Sequence, residues 1–298
     1  MKKVEIVEVG PRDGFQNLDT YLPLDFKLKI IEGLIDSGIK HIQHTSFVSP
    51  KAIPQMKDAK ELTEILLEKY PDFDFFPLVP NLYGARAAYE LGIRKVSYVI
   101  SLSESHNKAN INRTHEQSLD ELKNIMDNYG DLDICVDLAT TFGCPFEGKF
   151  PVDTVLKFVE RIVNTGIKEI TLADTIGVAN PKQVREIVSA VTKEFPQVEF
   201  QVHIHDTRNM GIASTLAAIE SGITKVQSTL GGLGGCPFAP GASGNTATED
   251  LVNMLNDMGY DTGVDLDKLV ALSKFQKQHV KGNYSGHLVN IDKNNTCS

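Results

Sequence analysis

Short apolar runs alternate with longer amphipathic stretches along most of this chain. Eight runs rich in β-branched and aromatic residues have the pattern of strands, at residues 4–9, 39–45, 73–79, 96–102, 134–139, 169–173, 200–205 and 225–230. Between them, apolar residues recur at helical spacing in residues 26–36, 57–69, 82–91, 117–128, 152–164, 181–193 and 212–221. Eight such alternations predict parallel strands that are joined by helical crossovers.

Cap residues mark the ends of several of these helices. Asn180 followed by Pro181 is typical of an N-cap with proline at the first helical position. Glycines that can end a helix in a left-handed conformation follow four other stretches, at Gly38, Gly92, Gly166 and Gly222. No linker rich in proline, glycine or serine interrupts the alternation, which favours a single domain over residues 1–298.

The strand patterns favour a closed barrel. Strands such as VEIVEV and FQVHIH alternate more strongly than strands that are buried against helices on both faces. In a barrel, one face of each strand points to the interior and the other to the helices. The sequence therefore predicts an α/β fold, a TIM (β/α)8 barrel at about residues 4–245, with a doubly wound open sheet as the alternative. Residues 248–258 and 266–280 predict a C-terminal helical extension, which ends in a polar tail.

Composition then excludes several classes of protein. The 298 residues include 30 basic and 39 acidic side chains, a net charge of −9, and 41% are hydrophobic. This chain can bury a large core, but it lacks the basic surface of a nucleic-acid-binding protein. No run approaches the roughly 20 uncharged apolar residues of a membrane helix, and Glu5 and Glu8 interrupt the place where a signal peptide would be apolar. Four cysteines without a CxxC pair make no disulfide framework, so we expect a cytoplasmic protein.

Unusual polar residues cluster at the carboxyl ends of the predicted strands, where TIM barrels carry their active sites. His203 and His205 are two residues apart on one strand, so both imidazoles face the same side and can hold one divalent cation. Asp13 and Asn245 would complete a set of nitrogen and oxygen ligands that favours Mg²⁺ or Mn²⁺ over Zn²⁺. The alternative is a pair of hydrogen-bonded histidines that merely line the barrel.

Each of three further residues allows two interpretations of its role. Arg12 can stabilise an enolate or thioester oxygen, or it can form a structural ion pair with Asp13 or Glu8. Cys236 lies in the glycine-rich stretch GGLGGCPFAPGASGN and is either a reactive acid/base thiol on an exposed loop or a buried inert one. Asp174 can position a substrate hydroxyl or cap the following helix.

Taken together, these residues resemble the 3-hydroxy-3-methylglutaryl-CoA lyase family of metal-dependent Claisen-type TIM barrels. The matching segments are VEVGPRDGFQN, TSFVSPKAIPQM, NKANIN, GCPFEGK, ADTIGVANP, VHIHDT and GLGGCPFAPGASGNTATEDLVNML. They extend from residue 4 to about residue 258, and the last segment is specific because its cysteine loop separates lyases from related synthases. The resemblance implies retro-Claisen cleavage of a 3-hydroxyacyl-CoA to acetyl-CoA and a keto acid, which is acetoacetate for the parent substrate.

The resemblance also implies roles for individual residues. Asp13, His203, His205 and Asn245 would bind the divalent cation, and Arg12 would steady the thioester enolate. Proton transfer is implied for three side chains, with Asp174 and His203 helping to take the proton of the C3 hydroxyl and Cys236 acting as acid/base above the site. The residues expected to bind the CoA part of the substrate are Lys51, Asn110 and Asn112. A homodimer is the assembly that the resemblance implies.

Two positions depart from the family pattern. Family members usually carry glutamate where this chain has Gln43, and glutamine keeps the length of that side chain but loses its charge. Arg208 stands where the lyases tend to have an aromatic-glycine pair, and an arginine there can meet an additional acidic group on the substrate. These two residues together predict a lyase with altered acyl specificity.

Three other functions compete with the lyase. A Claisen-condensing synthase of the isopropylmalate or homocitrate type would typically have a C-terminal regulatory region and no cysteine loop. An aldolase of 4-hydroxy-2-oxo acids is a similar alternative. A non-catalytic metal-binding barrel is the third, and the uncharged Gln43 is the reason to retain it.

Overall fold

Eight parallel strands close into one barrel in the computed structural model, which describes residues 2–235 and 244–291. Each strand pairs with the next along the chain, and β8 pairs with β1. The strands are β1 (Glu5–Glu8), β2 (His41–Ser46), β3 (Asp74–Leu78), β4 (Lys95–Ser101), β5 (Asp133–Ala139), β6 (Glu169–Asp174), β7 (Glu199–Ile204) and β8 (Lys225–Ser228). The predicted TIM barrel is confirmed, and the open-sheet alternative is wrong.

Helices follow the strands and cover the outside of the barrel. They are α1 (Leu24–Asp36), α2 (Ala59–Lys69), α3 (Leu82–Glu90), α4 (Glu104–Ile111), α5 (His115–Asn128), α6 (Val152–Val163), α7 (Pro181–Glu194), α8 (Gly211–Glu220), α9 (Thr248–Asp257) and α10 (Leu266–His279). The sequence pattern located nine of them to within two residues and missed α4. That helix is short and polar, so it has no apolar stripe to detect, and its signal is the N-cap Ser103, which accepts from the backbone N–H of His106.

The predicted caps form as expected. Asn180 accepts a hydrogen bond from the backbone N–H of Gln183 at 3.1 Å and begins α7, with Pro181 as its first residue. Gly38 ends α1 with a φ of +96°, and a Cβ there would lie 2.5 Å from the carbonyl oxygen of Gly263. Both the backbone conformation and the close approach therefore require glycine at position 38.

Side-chain alternation along the strands separates the apolar core between sheet and helices from the inside of the barrel. Outward residues such as Ile170, Leu172 and Val202 join the main apolar core between the sheet and the helices. Inside the barrel, the described residues form one small separate apolar cluster, from Val7, Val9 and Phe76. Most other inward positions of the strands are polar, so the barrel interior is filled largely by hydrogen-bonded side chains.

The chain beyond β8 continues the helical layer. α9 follows β8 as the helix of the eighth β/α unit, and α10 packs on α1, where the rings of Phe26 and Phe275 stack with centroids 5.8 Å apart. Both helices confirm the helical periodicity of that region, and its separation from a barrel at 4–245 stays a prediction. Within the described part of the chain, every helix is too short or too polar to cross a bilayer.

Candidate active site

A cavity of about 580 Å³ opens at the carboxyl ends of the strands, which we call the upper end of the barrel. Its wall combines apolar side chains such as Leu78 and Val99 with a few polar groups that converge from several strands. The polar groups that line it include Arg12, Asp13, Asn110, Arg113, Asp137, Thr171, His203, His205 and Gln227. An apolar cavity with a few convergent polar groups at this end of a TIM barrel is the expected form of an active site.

Asp13, His203 and His205 form a buried cluster in this cavity, and their ligand atoms all lie within 4.8 Å of one another. The Nε2 atoms of the two imidazoles are 3.1 Å apart, and Nε2 of His203 is 3.9 Å from Oδ2 of Asp13. Nδ1 of His203 is 3.1 Å from the amide oxygen of Gln227, which can only accept, so Nδ1 carries the proton and Nε2 presents its lone pair to the cluster.

Asn245 joins this cluster through a short strand-like segment beside β7. His205 and Asn245 form an antiparallel bridge, and the backbone N–H of Thr246 donates to the carbonyl of Ile204 at 3.2 Å. The side-chain amide of Asn245 donates to Oδ2 of Asp13 at 2.8 Å, while its oxygen Oδ1 is buried without a hydrogen-bond partner. One carboxylate, two imidazoles and an unpartnered amide oxygen are a donor set that fits a divalent cation.

The electrostatics of the cluster suit a cation site. Burial by itself would raise the pKa of Asp13, but the Arg12 guanidinium and the neighbouring imidazoles lower that pKa to about 2. Burial, with the positive charge of Arg12, lowers the pKa of His203 to about 3 and also lowers the pKa of His205. At neutral pH the cluster is therefore one carboxylate and two neutral imidazoles, the protonation states in which these side chains bind metals.

Arg12 is held by a wide helical turn, Gly10–Gly14, immediately after β1. Its Nε donates to the amide oxygen of Gln43, and its Nη1 donates to Oδ1 of Asp13 at 2.6 Å. Gln43 in turn donates its amide to the hydroxyl of Ser97 at 2.6 Å. Glutamine at position 43 thus orients Arg12 with an uncharged oxygen, and the ion pair between Arg12 and Asp13 is also present.

Glu8 fixes this turn to the end of β8. It accepts from the backbone N–H groups of Gly10 at 2.8 Å and Leu230 at 2.9 Å, and from the hydroxyl of Thr248 at 2.6 Å. A Cβ at position 10 would lie 2.5 Å from Oε1 of Glu8 and would push this carboxylate away from its hydrogen bonds, which favours glycine there. Burial outweighs these hydrogen bonds and raises the pKa of Glu8 to about 7.

Asp174 and Arg208 lie outside the cavity lining. Asp174 accepts backbone N–H donors from Val178 at 3.0 Å and Ala179 at 2.9 Å, and burial raises its pKa to about 6. Its neighbour Ala173 lines the cavity, so alternation directs Asp174 away from it. The loop between β6 and α7, residues 175–180, is called the β6 loop. Arg208 is exposed and donates to its carbonyls at Ile176 and Gly177, which weakens the predicted role of Arg208 in acyl specificity.

Of the residues predicted to bind CoA, Asn110 lines the cavity. Asn112 ends α4 in the left-handed region with a φ of +54° and lines a separate surface depression, whereas Lys51 is exposed beyond the cavity lining. Arg113 does line the cavity, and its Nη1 donates to the carbonyl of Pro80 at 2.9 Å. The binding roles of Lys51, Asn110 and Asn112 stay predictions.

Cys236 lies in residues 236–243, outside the described residues, so its predicted acid/base role also stays a prediction. Gly235, which precedes it, lines the cavity. The side-chain amide of Asn17, next to the Arg12 turn, lies 3.5 Å from the carbonyl oxygen of Gly235.

Besides His106 of α4, sequence reasoning missed an acidic residue of the cavity, Asp137. It lies on β5 opposite Val99 of β4 and Thr171 of β6, with its side chain inside the barrel. The signal was present, because an acidic residue interrupts the apolar run ICVDLA of a predicted strand. Gln227, which orients His203, was missed for the different reason that a glutamine in a strand carries no distinctive chemistry.

Comparison with known proteins finds a family model and several relatives that match most of this chain. The model of the HMGL-like family matches residues 3–275. The chain is 41% identical to the hydroxymethylglutaryl-CoA lyase YngG of Bacillus subtilis (strain 168) over 276 residues, which cover 92% of each protein. It is 42% identical to the human mitochondrial hydroxymethylglutaryl-CoA lyase over 278 residues, which cover 92% of this chain and 85% of the human protein.

A solved structure agrees with these sequence relatives. An HMG-CoA lyase from Acinetobacter baumannii, in complex with coenzyme A and 3-methylmalate, has a TM-score of 0.92 and 41% sequence identity. The similarity covers 99% of this chain and 97% of that one. These relatives do not favour the synthase, the aldolase or the non-catalytic barrel.

Proposed function

This chain belongs to the HMGL-like family and is a carbon–carbon lyase, and we propose that its substrate is 3-hydroxy-3-methylglutaryl-CoA, which it cleaves to acetyl-CoA and acetoacetate. The observation that carries the proposal is the buried cluster of Asp13, His203 and His205 beside Arg12, in a cavity at the upper end of the barrel. Two relatives that are named hydroxymethylglutaryl-CoA lyases, 41% and 42% identical over 92% of this chain, support this choice of the acyl group.

We propose that Asp13, His203, His205 and Asn245 hold one Mg²⁺ or Mn²⁺ ion. The donor set supports these metals because it has no thiolate and two of its four members are oxygen donors. When bound, such an ion would acidify the substrate hydroxyl and polarise oxygens next to the reacting carbon atoms.

The reaction needs two proton movements and one bond cleavage. The C3 hydroxyl loses its proton and becomes the ketone of acetoacetate, the C2–C3 bond breaks, and its electron pair forms the enolate of the acetyl thioester. C2 then accepts a proton to give acetyl-CoA. We assign to Arg12 the stabilisation of the enolate oxygen, because its guanidinium lies in the cavity and is fixed by Gln43 and Asp13.

Cys236 is our candidate for the group that gives the proton to C2. Its support is the glycine-rich segment that it shares with the family and the position of Gly235 at the cavity.

For Asp174 the contacts support a different role from the one that the resemblance implies, since both of its oxygens accept hydrogen bonds from the β6 loop. We assign to Asp174 the positioning of that loop, whose Thr175 lines the cavity.

The CoA moiety would enter between the ends of β2 and β4. Asn110 and Arg113 support this path, because both line the cavity and the second is a cation. Lys51 and Asn112 would contact the outer part of CoA, at the rim.

We also infer a homodimer in the cytoplasm, for which the support is the family resemblance and the composition of the chain. Size-exclusion chromatography with light scattering tests the dimer, and a mass that corresponds to one chain of 32.8 kDa would contradict it.

A panel of thioesters tests the substrate. Purified protein would be incubated with 3-hydroxy-3-methylglutaryl-CoA, 3-hydroxybutyryl-CoA and the CoA thioester of 3-methylmalate, with Mg²⁺ or Mn²⁺ and with EDTA. The released acyl-CoA (acetyl-CoA from the first two, propionyl-CoA from the third) and the carbonyl product would be measured. We expect cleavage of the first to be fastest and EDTA to abolish it. That result would contradict the altered specificity predicted from Gln43 and Arg208, whereas metal binding without cleavage of any thioester would overturn the proposed function.

A further inference from the structure

Two carboxylates line the cavity among the described residues, and they differ in what their oxygens contact. Asp13 has both oxygens engaged, Oδ1 by Arg12 and by Gln16 at 3.1 Å, and Oδ2 by the amide of Asn245. Asp137 is only 7% exposed, and neither of its oxygens has a hydrogen bond of good geometry within the protein. A buried acceptor of this kind is costly unless a ligand supplies its donor.

The surroundings keep Asp137 available as an acceptor. The hydroxyl of Ser97 already accepts the Gln43 amide, so its own hydrogen can point toward Asp137, and the Thr171 hydroxyl also favours the charged carboxylate. Burial nonetheless raises the pKa of Asp137 from its ordinary value, while the charge of Arg12 acts in the opposite direction. A buried carboxylate whose pKa is raised is a better proton acceptor than an ordinary exposed one.

Asp174, the acid to which the resemblance gives the C3 hydroxyl, makes other contacts. Asp174 points away from the cavity, and both of its oxygens accept backbone N–H groups of the β6 loop. Each oxygen thus already accepts a backbone N–H, and Asp174 is not among the residues that line the cavity.

We propose that Asp137 is a catalytic residue that accepts the hydrogen bond of the C3 hydroxyl and takes its proton as the C2–C3 bond breaks. This role rests on the proposed function of the cavity. In the step, the O–H bond breaks and a carboxyl O–H bond forms on Asp137, C3–O becomes a double bond, and the C2–C3 electron pair passes to the thioester enolate. The proton later returns to solvent when the keto acid leaves.

Isosteric substitution is the first test. Asp137→Asn should lower kcat by about 10²- to 10⁴-fold, the usual contribution of a general base, and should leave the melting temperature close to that of the wild type because the substitution is isosteric. Mn²⁺ affinity, measured by calorimetry, should stay within about threefold of wild type, since Asp137 lies outside the ligand cluster. Asp133→Asn, at the exposed start of the same strand, is the matched control and should keep wild-type kcat.

Chemical rescue is the second test. Asp137→Ala opens a space in which added formate or acetate can replace the carboxylate, and we expect the rate of this variant to rise with the concentration of either anion. A merely structural role would not produce such a rise.

The outcomes separate this role from the proposed function. If the wild-type protein cleaves a thioester while Asp137→Asn keeps more than a third of its kcat, or if Asp137→Ala is not rescued by either anion, the role of Asp137 is wrong and the lyase function stands. If the wild-type protein cleaves no thioester of the panel, the proposed function fails and this role fails with it.

Discussion

The two ends of this barrel use ionisable residues in opposite ways. At the lower end each strand begins with an ionisable residue: Glu5, His41, Asp74, Lys95, Asp133, Glu169, Glu199 and Lys225. The most buried acid of this set, Glu169, lies 3.0 Å from the ammonium of Lys95 and 3.7 Å from that of Lys225, and Gln201 donates to it at 2.8 Å. At the upper end, Asp137 is equally buried and has no such partners.

Hydrogen bonds through the barrel interior connect the two ends. Gln201 contacts both Glu169 below and Gln227 above, and Gln227 accepts from His203 in the candidate metal cluster. A buried carboxylate therefore belongs to an ion-pair network at the lower end, as Glu169 does, but is an unpartnered acceptor at the upper end, as Asp137 is. Complete pairing contributes to stability, whereas unpartnered polar atoms in a cavity indicate a place for a ligand.

The largest effect is expected from a substitution in the metal cluster at the upper end. His205→Ala removes one member of the cation cluster, so the purified protein should lose stoichiometric Mg²⁺ or Mn²⁺, measured by elemental analysis, and thioester cleavage should fall to background. Nδ1 of His205 makes no hydrogen bond, so the melting temperature should change little. His44→Gln is the control, because His44 is equally buried but contacts Thr63 of α2 rather than the cavity. Full activity of His205→Ala with bound metal would contradict the assignment.

Arg12→Lys should have the next largest effect. Lysine keeps the charge but cannot donate to Gln43 and Asp13 together while it also faces the substrate, so kcat/KM should fall by about 10²- to 10³-fold. Steady-state kinetics with the best thioester measure this change. The melting temperature should remain close to wild type, and a loss of less than about threefold would show that Arg12 acts only as a structural ion pair.

Glu169→Gln should give the opposite pattern, at the lower end. The substitution leaves two lysines facing an uncharged side chain, so the free energy of unfolding should decrease by about 1–3 kcal/mol. Urea denaturation measures the loss, and kcat of the folded protein should be unchanged. A variant with wild-type stability but impaired turnover would refute the division between the two ends.

Lys51→Ala should have the smallest effect, because the outer rim of the upper end is in contact with solvent. If Lys51 contacts CoA, its removal should raise KM about two- to fivefold without a change in kcat, since salt and water screen an exposed charge. The effect should shrink further at high salt. An unchanged KM at low ionic strength would remove Lys51 from the CoA site.

Much of the fold could be predicted from the sequence. Periodicity predicted the eight strands and nine of the ten helices of residues 2–235 and 244–291, because each strand contributes an apolar face to the core and each helix an apolar stripe. The separation of two residues between His203 and His205 was enough to place both imidazoles on one face of a strand. The same parity argument, applied to Ala173 and Asp174, would have directed Asp174 away from the cavity.

Other parts of the site depend on contacts that are remote along the chain. Asn245 reaches Asp13 across 232 positions, and Gln43 reaches Arg12 and Ser97 across strands β1, β2 and β4. Nothing local in the sequence fixes these distances, since they follow from barrel closure and from the return of residues 244–247 beside β7.

The sequence by itself thus determined the barrel, the end at which the chemistry lies and the histidine pair, because these follow from side-chain period and from the direction of parallel strands. Only the tertiary structure decided which polar groups are partnered. The oxygens of Asp174 accept hydrogen bonds from the β6 loop, whereas those of Asp137 face the cavity without a partner. The hydrogen-bonding state of a buried carboxylate depends on neighbouring strands and loops, which its own segment of sequence does not specify.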